Sequence, residues 1–279
     1  MNVVDSVASQ VLAQDAGSGF DWGGFTFVTV TSLIAIALLI VVTAVFGFRL
    51  GRHNVVDVSW GIGFVVIALV SAVFGDGDLW RRWLLAALIA VWGLRLAWHM
   101  ARRGRGRGED PRYEKMLDDA GGNRTRAAIR KIYFTQGIAL WFVSLPVQVS
   151  AVTQGPLGVL TVVGILLWVT GFTFESVGDA QMSAFKADPA NRGTIMNRGL
   201  WGWTRHPNYF GDACIWWGIF LISAQTWPGV LTVLSPVAMT YFLVYATGAR
   251  RLERHMAERP GYPDYQESTS YFLPRPPRR

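Results

Sequence analysis

The stretch GLWGWTRHPNYFGDACIWWG, Gly199 to Gly218, passes from polar and ionisable residues directly into an apolar run. Pro207 suits the first turn of a helix, because its ring fixes φ and its missing N–H would have had no partner within the helix. The helix is therefore expected to begin beside His206. Arg205 then lies at the positive end of the helix dipole, next to unpaired backbone N–H groups, which favours binding of a phosphate.

The helix that follows carries polar side chains on one face. Asn208 and Asp212 are four residues apart and point in the same direction. A carboxylate one turn inside a membrane helix is costly to bury and marks a functional interior. The alternative is an interfacial belt, in which a neighbouring arginine reaches lipid phosphates and aromatic rings anchor the helix: Trp201, Trp203 and Tyr209.

The composition indicates an all-α integral membrane protein. Of the 279 residues, 51% are hydrophobic and 13 are Trp, and the mean hydropathy is +0.28. A run of about 20 apolar residues crosses the hydrocarbon core as a helix. The sequence predicts seven transmembrane helices, at 25–48, 55–74, 80–100, 132–152, 157–177, 209–225 and 228–248. We expect an external tail over residues 1–24 and a single seven-helix membrane domain over residues 25–279.

The distribution of charge predicts the orientation. If the N-terminus is outside, nearly all of the 26 lysines and arginines fall on one side of the membrane; the exceptions are Arg81, Arg82 and Arg95. The positive-inside rule then places the C-terminus in the cytoplasm, and we expect a bacterial cytoplasmic membrane. The net charge of +7 follows largely from this topology, so no nucleic-acid partner is expected. The single Cys214 excludes an intramolecular disulfide and a cysteine-based metal cluster, and no metal site is expected.

Two further polar groups stand at the cytoplasmic ends of predicted helices. Asn54 and Asp57 precede and begin the second helix. Either Asn54 caps that helix with Asp57 in its first turn, or Asp57 faces a cavity and positions or protonates a substrate carbonyl. Arg95, in the third helix, either extends to the surface or pairs with a carboxylate such as Asp57 or Asp212.

The fifth helix ends with two carboxylates. Glu175, Asp179, Met182 and Lys186 share one helical face. Either the helix extends into water with an ion pair to Lys186, or the carboxylates meet a partner or a ligand.

These residues resemble a known family. GLWGWTRHPNYFGD resembles the C-terminal signature of the steroid 5-alpha-reductase superfamily and of the sterol C14 and C7 reductases. Other patterns resemble its bacterial branch, a domain of unknown function related to 5-alpha-reductase; they are VVDVSWG, WGLRL, GEDPRY, TQG…SLP, FE…GDAQ…FK and RPGYPDYQ…TSYFLP. The resemblance spans roughly residues 53 to 275.

The resemblance implies an NADPH-dependent reductase of a carbon–carbon double bond conjugated to a carbonyl. The substrate would be a hydrophobic small molecule or lipid, of steroid, isoprenoid or fatty-acyl type, with membrane lipids as the surroundings and the cofactor site facing the cytoplasm. The implied cofactor-binding residues are Glu175, Asp179, Lys186, Arg205, Asn208, Tyr209, Asp212, Arg250, Arg251 and Arg254.

The sequence departs from the family at the proton donor. Trp92 stands where the steroid enzymes place a tyrosine on the third helix, and an indole cannot act as an acid. Asp57 is therefore the expected catalytic group, with Tyr133 as a further candidate. The expected substrate-binding residues are Asp57, Trp60, Trp92 and Arg95.

Two other functions fit parts of the pattern. Isoprenylcysteine carboxyl methyltransferases share the RHP-x-Y element and bind S-adenosylmethionine, but their tail has a glutamate pair where this chain offers only Glu253. A transporter or lipid-binding protein would also carry intramembrane carboxylates, although transporters usually show inverted repeats and none is visible here.

Overall fold

The computed structural model describes residues 20–246 and 248–277, and all regular structure within them is helical. This confirms the all-α prediction. The predicted external tail lies almost entirely outside the described residues, which include only 20–24 of it.

In chain order, the α-helices of the described part begin with three long ones, α1 Trp22–Leu50, α2 Val55–Phe74 and α3 Leu79–Gly104. The next four are short: α4 Pro111–Asp118, α5 Arg124–Ala128, α6 Thr135–Val143 and α7 Leu145–Ser150. The remainder are α8 Val159–Ala187, α9 Pro207–Ser223, α10 Leu234–Tyr241, α11 Ala249–Met256 and α12 Tyr262–Ser268. A π-helical segment, Ile129–Phe134, joins α5 to α6.

Five helical stretches of the described chain are long and apolar enough to cross a membrane. They are α1, α2, α3, α8 and the stretch Gly229–Met256, which contains α10 and α11. The other two predicted spans have shorter helices, because 132–152 is divided between α6 and α7 and 209–225 corresponds to the 17 residues of α9. Several long apolar helices are consistent with an integral membrane protein.

Pro146 explains the break between α6 and α7. Proline has no N–H to donate and its ring clashes with the preceding turn, so α6 ends at Val143. Ser235 donates to the Val143 carbonyl, and Ser223 donates to the Pro146 carbonyl at 3.0 Å. Side chains of neighbouring helices therefore satisfy backbone acceptors at the break, as an apolar environment requires.

Helices α8 and α9 pack against each other along glycines. Gly164 and Gly171 of α8 face Gly218 and Gly211 of α9. A Cβ atom added at Gly171 would lie 2.4 Å from the Gly211 carbonyl oxygen, and one at Gly164 would lie 2.6 Å from the Gly218 carbonyl oxygen. The two backbones are in direct contact, which is how small residues allow membrane helices to associate.

Helices α2 and α3 also come into close backbone contact at glycines. A Cβ atom at Gly61 would lie 2.3 Å from the Gly93 carbonyl oxygen. Aromatic side chains fill the space between this pair and α9: Phe64 lies 4.4 Å from Trp216, and Trp92 lies 5.6 Å from Trp216, between ring centroids. The two close helix pairs thus meet across one aromatic core.

Gly171→Ala should destabilise the protein, although alanine is normally the better helix former by about 1 kcal/mol. The new methyl group would meet backbone rather than a movable side chain, and overpacking of this kind costs about 1–3 kcal/mol. The midpoint of thermal unfolding in detergent measures the effect. Gly104→Ala is the matched control, because a Cβ atom at this helical glycine meets nothing within 4 Å. Equal midpoints for the two variants would contradict a close α8–α9 contact.

Candidate functional site

Arg95 of α3 joins two carboxylates of α8. Its guanidinium donates to Asp179 at 2.8 Å and also to Glu175. The Trp92 indole N–H donates to the second Glu175 oxygen at 2.8 Å, and the Asn208 amide donates to Asp179 at 3.4 Å. We call these five residues the Arg95 cluster. Of the two predicted alternatives for Arg95, pairing with a carboxylate is the one observed, but its partners are Glu175 and Asp179 rather than Asp57 or Asp212. The alternative of an ion pair to Lys186 is wrong, since each of these carboxylates of α8 pairs with Arg95.

The Arg95 cluster is partly buried and places two carboxylates around one arginine. Glu175 is only 3% exposed, and one arginine faces two carboxylates. A buried carboxylate requires counter-charge and hydrogen bonds. Trp92 supplies the additional donor, so the tryptophan that interrupts the family pattern has a definite role here. It is fully buried, and its indole N–H is used by Glu175.

Asp212 lies beside this cluster with part of its hydrogen-bonding capacity unused. It is 8% exposed, and its Oδ1 has no hydrogen-bond partner among the described residues. It interacts electrostatically with Glu175, Arg95 and Asp179. A buried acceptor without a partner costs about 1–3 kcal/mol, so this oxygen is available to a donor supplied by a ligand.

Tyr209 lies near this group and near the segment that runs from the end of α3 into α4. Its hydroxyl is within electrostatic range of Asp179 and Asp212 and of two arginines, Arg103 of α3 and Arg112 of α4. The structure therefore brings the predicted cofactor residues of α8 and α9 into one polar region. Arg103 and Arg112 were not among the predicted site residues.

Asp57 has a partner that the sequence did not reveal. The Tyr113 hydroxyl donates to Asp57 at 2.6 Å, and the Arg112 guanidinium lies 3.4 Å from the other carboxylate oxygen. Burial raises the pKa of the Tyr113 hydroxyl, and the adjacent Asp57 carboxylate raises it further. Tyr113 therefore remains protonated at neutral pH and holds Asp57 through a hydrogen bond.

The segment that carries Tyr113 is fixed to the start of α2. Glu109 accepts hydrogen bonds from the backbone N–H groups of His53 and of Asn54, the latter at 2.9 Å. The Asn54 side chain does not cap the helix and donates instead to the Gly108 carbonyl at 2.9 Å. The predicted cap by Asn54 is therefore wrong, because a carboxylate brought in from the loop occupies the positive end of the helix.

Tyr133 and Trp60, two other predicted residues, have different surroundings. The Tyr133 hydroxyl pairs with the His53 imidazole at 2.8 Å, so the structure groups Tyr133 with His53 and not with Asp57. Trp60 is partly buried, with its ring centroid 5.1 Å from that of Phe64.

Arg205 lies within a second polar cluster, which attaches the C-terminal tail. It donates to Glu253 at 2.9 Å and to the carbonyls of Gln266 and Thr269 at 2.9 and 2.6 Å. Tyr262 also donates to Glu253, at 2.7 Å. The structure thus brings Arg205 to the tail rather than to Asp212. The helix after it begins at Pro207, as predicted.

Glu253 is the centre of this tail cluster. Besides Arg205 and Tyr262 it contacts the His206 imidazole at 3.0 Å and the Gln266 amide at 2.6 Å. Four side chains therefore surround one carboxylate, and its hydrogen-bonding capacity is used within the protein. From the sequence, Glu253 was noted only because it stands alone where the methyltransferases have two glutamates.

The remaining predicted cations are on the surface. Arg250, Arg251 and Arg254 are exposed on α11. Lys186 is exposed at the end of α8. It lies within electrostatic range of three other cations, Arg103, Arg107 and Arg259. Lys186 and these three arginines, Arg103, Arg107 and Arg259, therefore form one basic surface.

Arg95→Met should lower the free energy of unfolding by about 3–5 kcal/mol, because it leaves two buried carboxylates without their counter-charge. Unfolding in detergent monitored by circular dichroism measures this. Arg49→Met, at an exposed arginine that ends α1, should change stability little. Adding Glu175→Gln and Asp179→Asn to Arg95→Met should restore part of the loss. If Arg95→Met were as stable as the wild type, the ion pairs would not contribute to the fold.

Glu253→Gln should loosen the tail, because the neutral amide removes the negative charge with which Arg205 pairs. Cleavage by trypsin after Arg251 and Arg254, the exposed arginines on either side of Glu253 in α11, followed by mass spectrometry, should become several-fold faster. Glu267→Gln, at an exposed acid of the same tail, is the matched control. Unchanged cleavage of the Glu253 variant would argue against the tail cluster.

Comparison with known proteins identifies the family of this chain. A family model described as protein of unknown function (DUF1295) matches residues 24–269. An uncharacterized protein of Schizosaccharomyces pombe is 23% identical over 226 residues, which are 70% of this chain and 64% of that protein. The match therefore spans less than two thirds of that relative's length. No solved structure matches the chain significantly. Because the family model covers most of the chain, including every helix of the Arg95 cluster and of the tail cluster up to residue 269, the chain belongs to the DUF1295 family.

Proposed function

We propose that this protein is a membrane-embedded, NADPH-dependent reductase of a carbon–carbon double bond conjugated to a carbonyl in a lipid-like substrate, related to the steroid 5-alpha-reductases. The observation that carries the proposal is the unpaired Oδ1 of buried Asp212 beside the Arg95 cluster. A fully satisfied cluster would suit a structural role, whereas an unused buried acceptor suits a bound ligand.

The residues around Asp212 fit a nicotinamide cofactor. A carboxamide supplies two N–H donors, and the unpaired Asp212 oxygen is an acceptor. Asn208 and Tyr209, on the same turn of α9, add polar groups of both kinds. The basic surface of Arg103, Lys186 and their neighbours provides cations for the phosphates.

The catalytic role of the chain would be orientation and proton delivery. When bound, the cofactor supplies the hydride. The pair of Asp57 and Tyr113 would hold a proton at the substrate carbonyl oxygen, with Arg112 contributing positive charge where negative charge develops. Tyr113 takes the place that sequence reasoning gave to Tyr133, because it contacts Asp57 directly.

We further infer seven membrane passes with the N-terminus outside and the C-terminus in the cytoplasm. The 17 residues of α9 extend about 25 Å, close to the hydrocarbon thickness. The broken segment from Ile129 to Ser150 would cross with its freed carbonyls satisfied by Ser223 and Ser235. The concentration of basic residues in the loops beside the site supports a cytoplasmic cofactor site.

Equilibrium binding of NADPH and of S-adenosylmethionine to the detergent-purified protein tests the function. NADPH should bind, and Asp212→Asn should weaken binding about tenfold, since it replaces a charged acceptor with an amide that also carries donors. Lys186→Ala should weaken NADPH binding and reduce its dependence on salt. Glu258→Gln, at an exposed acid near the tail, is the control and should leave binding unchanged.

The same measurement separates the competing functions. Binding of S-adenosylmethionine alone would refute the reductase and favour methyl transfer. Binding of neither molecule would favour a transporter or a lipid-binding protein.

A further inference from the structure

A separate cavity lies where the chain re-enters the helical bundle after the cytoplasmic loop. Its volume is about 510 Å³, and its lining consists of Asn123, Thr125, Arg126, Ile129, Arg130 and Phe134. Two arginines and two large apolar side chains therefore line one cavity. None of these residues belongs to the Arg95 cluster or to the tail cluster.

The two arginines have no internal partner. Within the described residues, neither the Arg126 nor the Arg130 guanidinium makes an ion pair or a hydrogen bond. Arg124, on the same helix, differs because it pairs with Asp118. An exposed cation without a partner in the protein is available to an external anion.

The helix geometry places these arginines in a row with an apolar side chain. Arg126, Arg130 and Phe134 follow one another at intervals of four residues. In an ideal α-helix, which has 3.6 residues per turn, side chains at this interval shift progressively around the helix axis. The segment Ile129–Phe134 is π-helical, and its wider turn rotates less per residue, which opposes that shift. The three side chains therefore remain on one side of the helix.

The apolar side chains that line the cavity are exposed. Ile129 is 51% exposed and Phe134 is 63% exposed. Each stands next to an arginine, at the point where the polar loop passes into an apolar helix. Adjacent positive and apolar surface is the chemistry of a lipid headgroup region, in which a phosphate and an acyl chain are covalently joined.

We propose that this cavity binds an anionic phospholipid of the adjacent leaflet. Arg126 and Arg130 hold the phosphate, and Ile129 and Phe134 contact the first part of the acyl chains. The apolar lining distinguishes this site from one for a free phosphate, because a free anion gains nothing from Ile129 and Phe134. The site is independent of the proposed reductase function.

Native mass spectrometry of the full-length protein with bound lipids tests the site. Phosphatidylglycerol and phosphatidylcholine with identical acyl chains are added in equal amounts. The wild type should retain phosphatidylglycerol in preference to phosphatidylcholine, on the order of tenfold for two cationic contacts. The double variant Arg126→Ala/Arg130→Ala should lose that preference.

Lys131→Ala is the matched control, because it removes one exposed cation from the same segment without altering the lining of the cavity. It should retain the wild-type preference. A wild type without preference, or a double variant that keeps it, would overturn the proposal. Displacement of phosphatidylglycerol by inorganic phosphate at millimolar concentration would also overturn it, in favour of a free-anion site. If the double variant does not fold, the single variant Arg130→Gln replaces it and should reduce the preference several-fold.

Discussion

The interaction of Arg95 with Glu175 and Asp179 fixes the arrangement of the helices around the site. Two carboxylates on an otherwise apolar helix require a cation, and Arg95 of α3 is the one that pairs with both. The contact sets the rotation and the depth of α3 relative to α8. Asn208 extends the same constraint to α9.

Close backbone packing makes this polar contact possible. In a membrane the hydrophobic effect does not press helices together, so van der Waals contact and polar contacts must do so. The glycines at positions 171 and 211 bring α8 against α9, and those at 61 and 93 bring α2 against α3. Larger residues there would move Asp179 and Asn208 apart and separate the polar groups of the site.

The sequence RHPNY divides at its proline into two parts with different roles. Arg205 and His206 precede the helix and are bound to Glu253, whose contacts are complete within the protein. Asn208 and, one turn later, Asp212 lie on the helix and face the Arg95 cluster, where an acceptor remains unused. The two parts therefore lie beside carboxylates in different states, because Glu253 is surrounded by four side chains whereas Asp212 has an oxygen without a partner among the described residues. This difference is why we propose a ligand beside Asp212 and not beside Glu253.

The sequence by itself determined the helical class, most of the long apolar helices and the start of a helix at Pro207. These features depend on local stereochemistry and on the hydropathy of neighbouring residues, so a short window of sequence contains them. Membership of Asn208, Asp212, Glu175 and Asp179 in one polar region was also anticipated, through the resemblance to a family.

Only the tertiary structure decided which charges meet. Arg95 is about 80 residues from its partners, Glu109 caps a helix about 55 residues earlier, and Tyr113 reaches Asp57 from the short helix α4. Such pairings depend on how each helix is rotated and on where a loop lies, and no local pattern of residues records either.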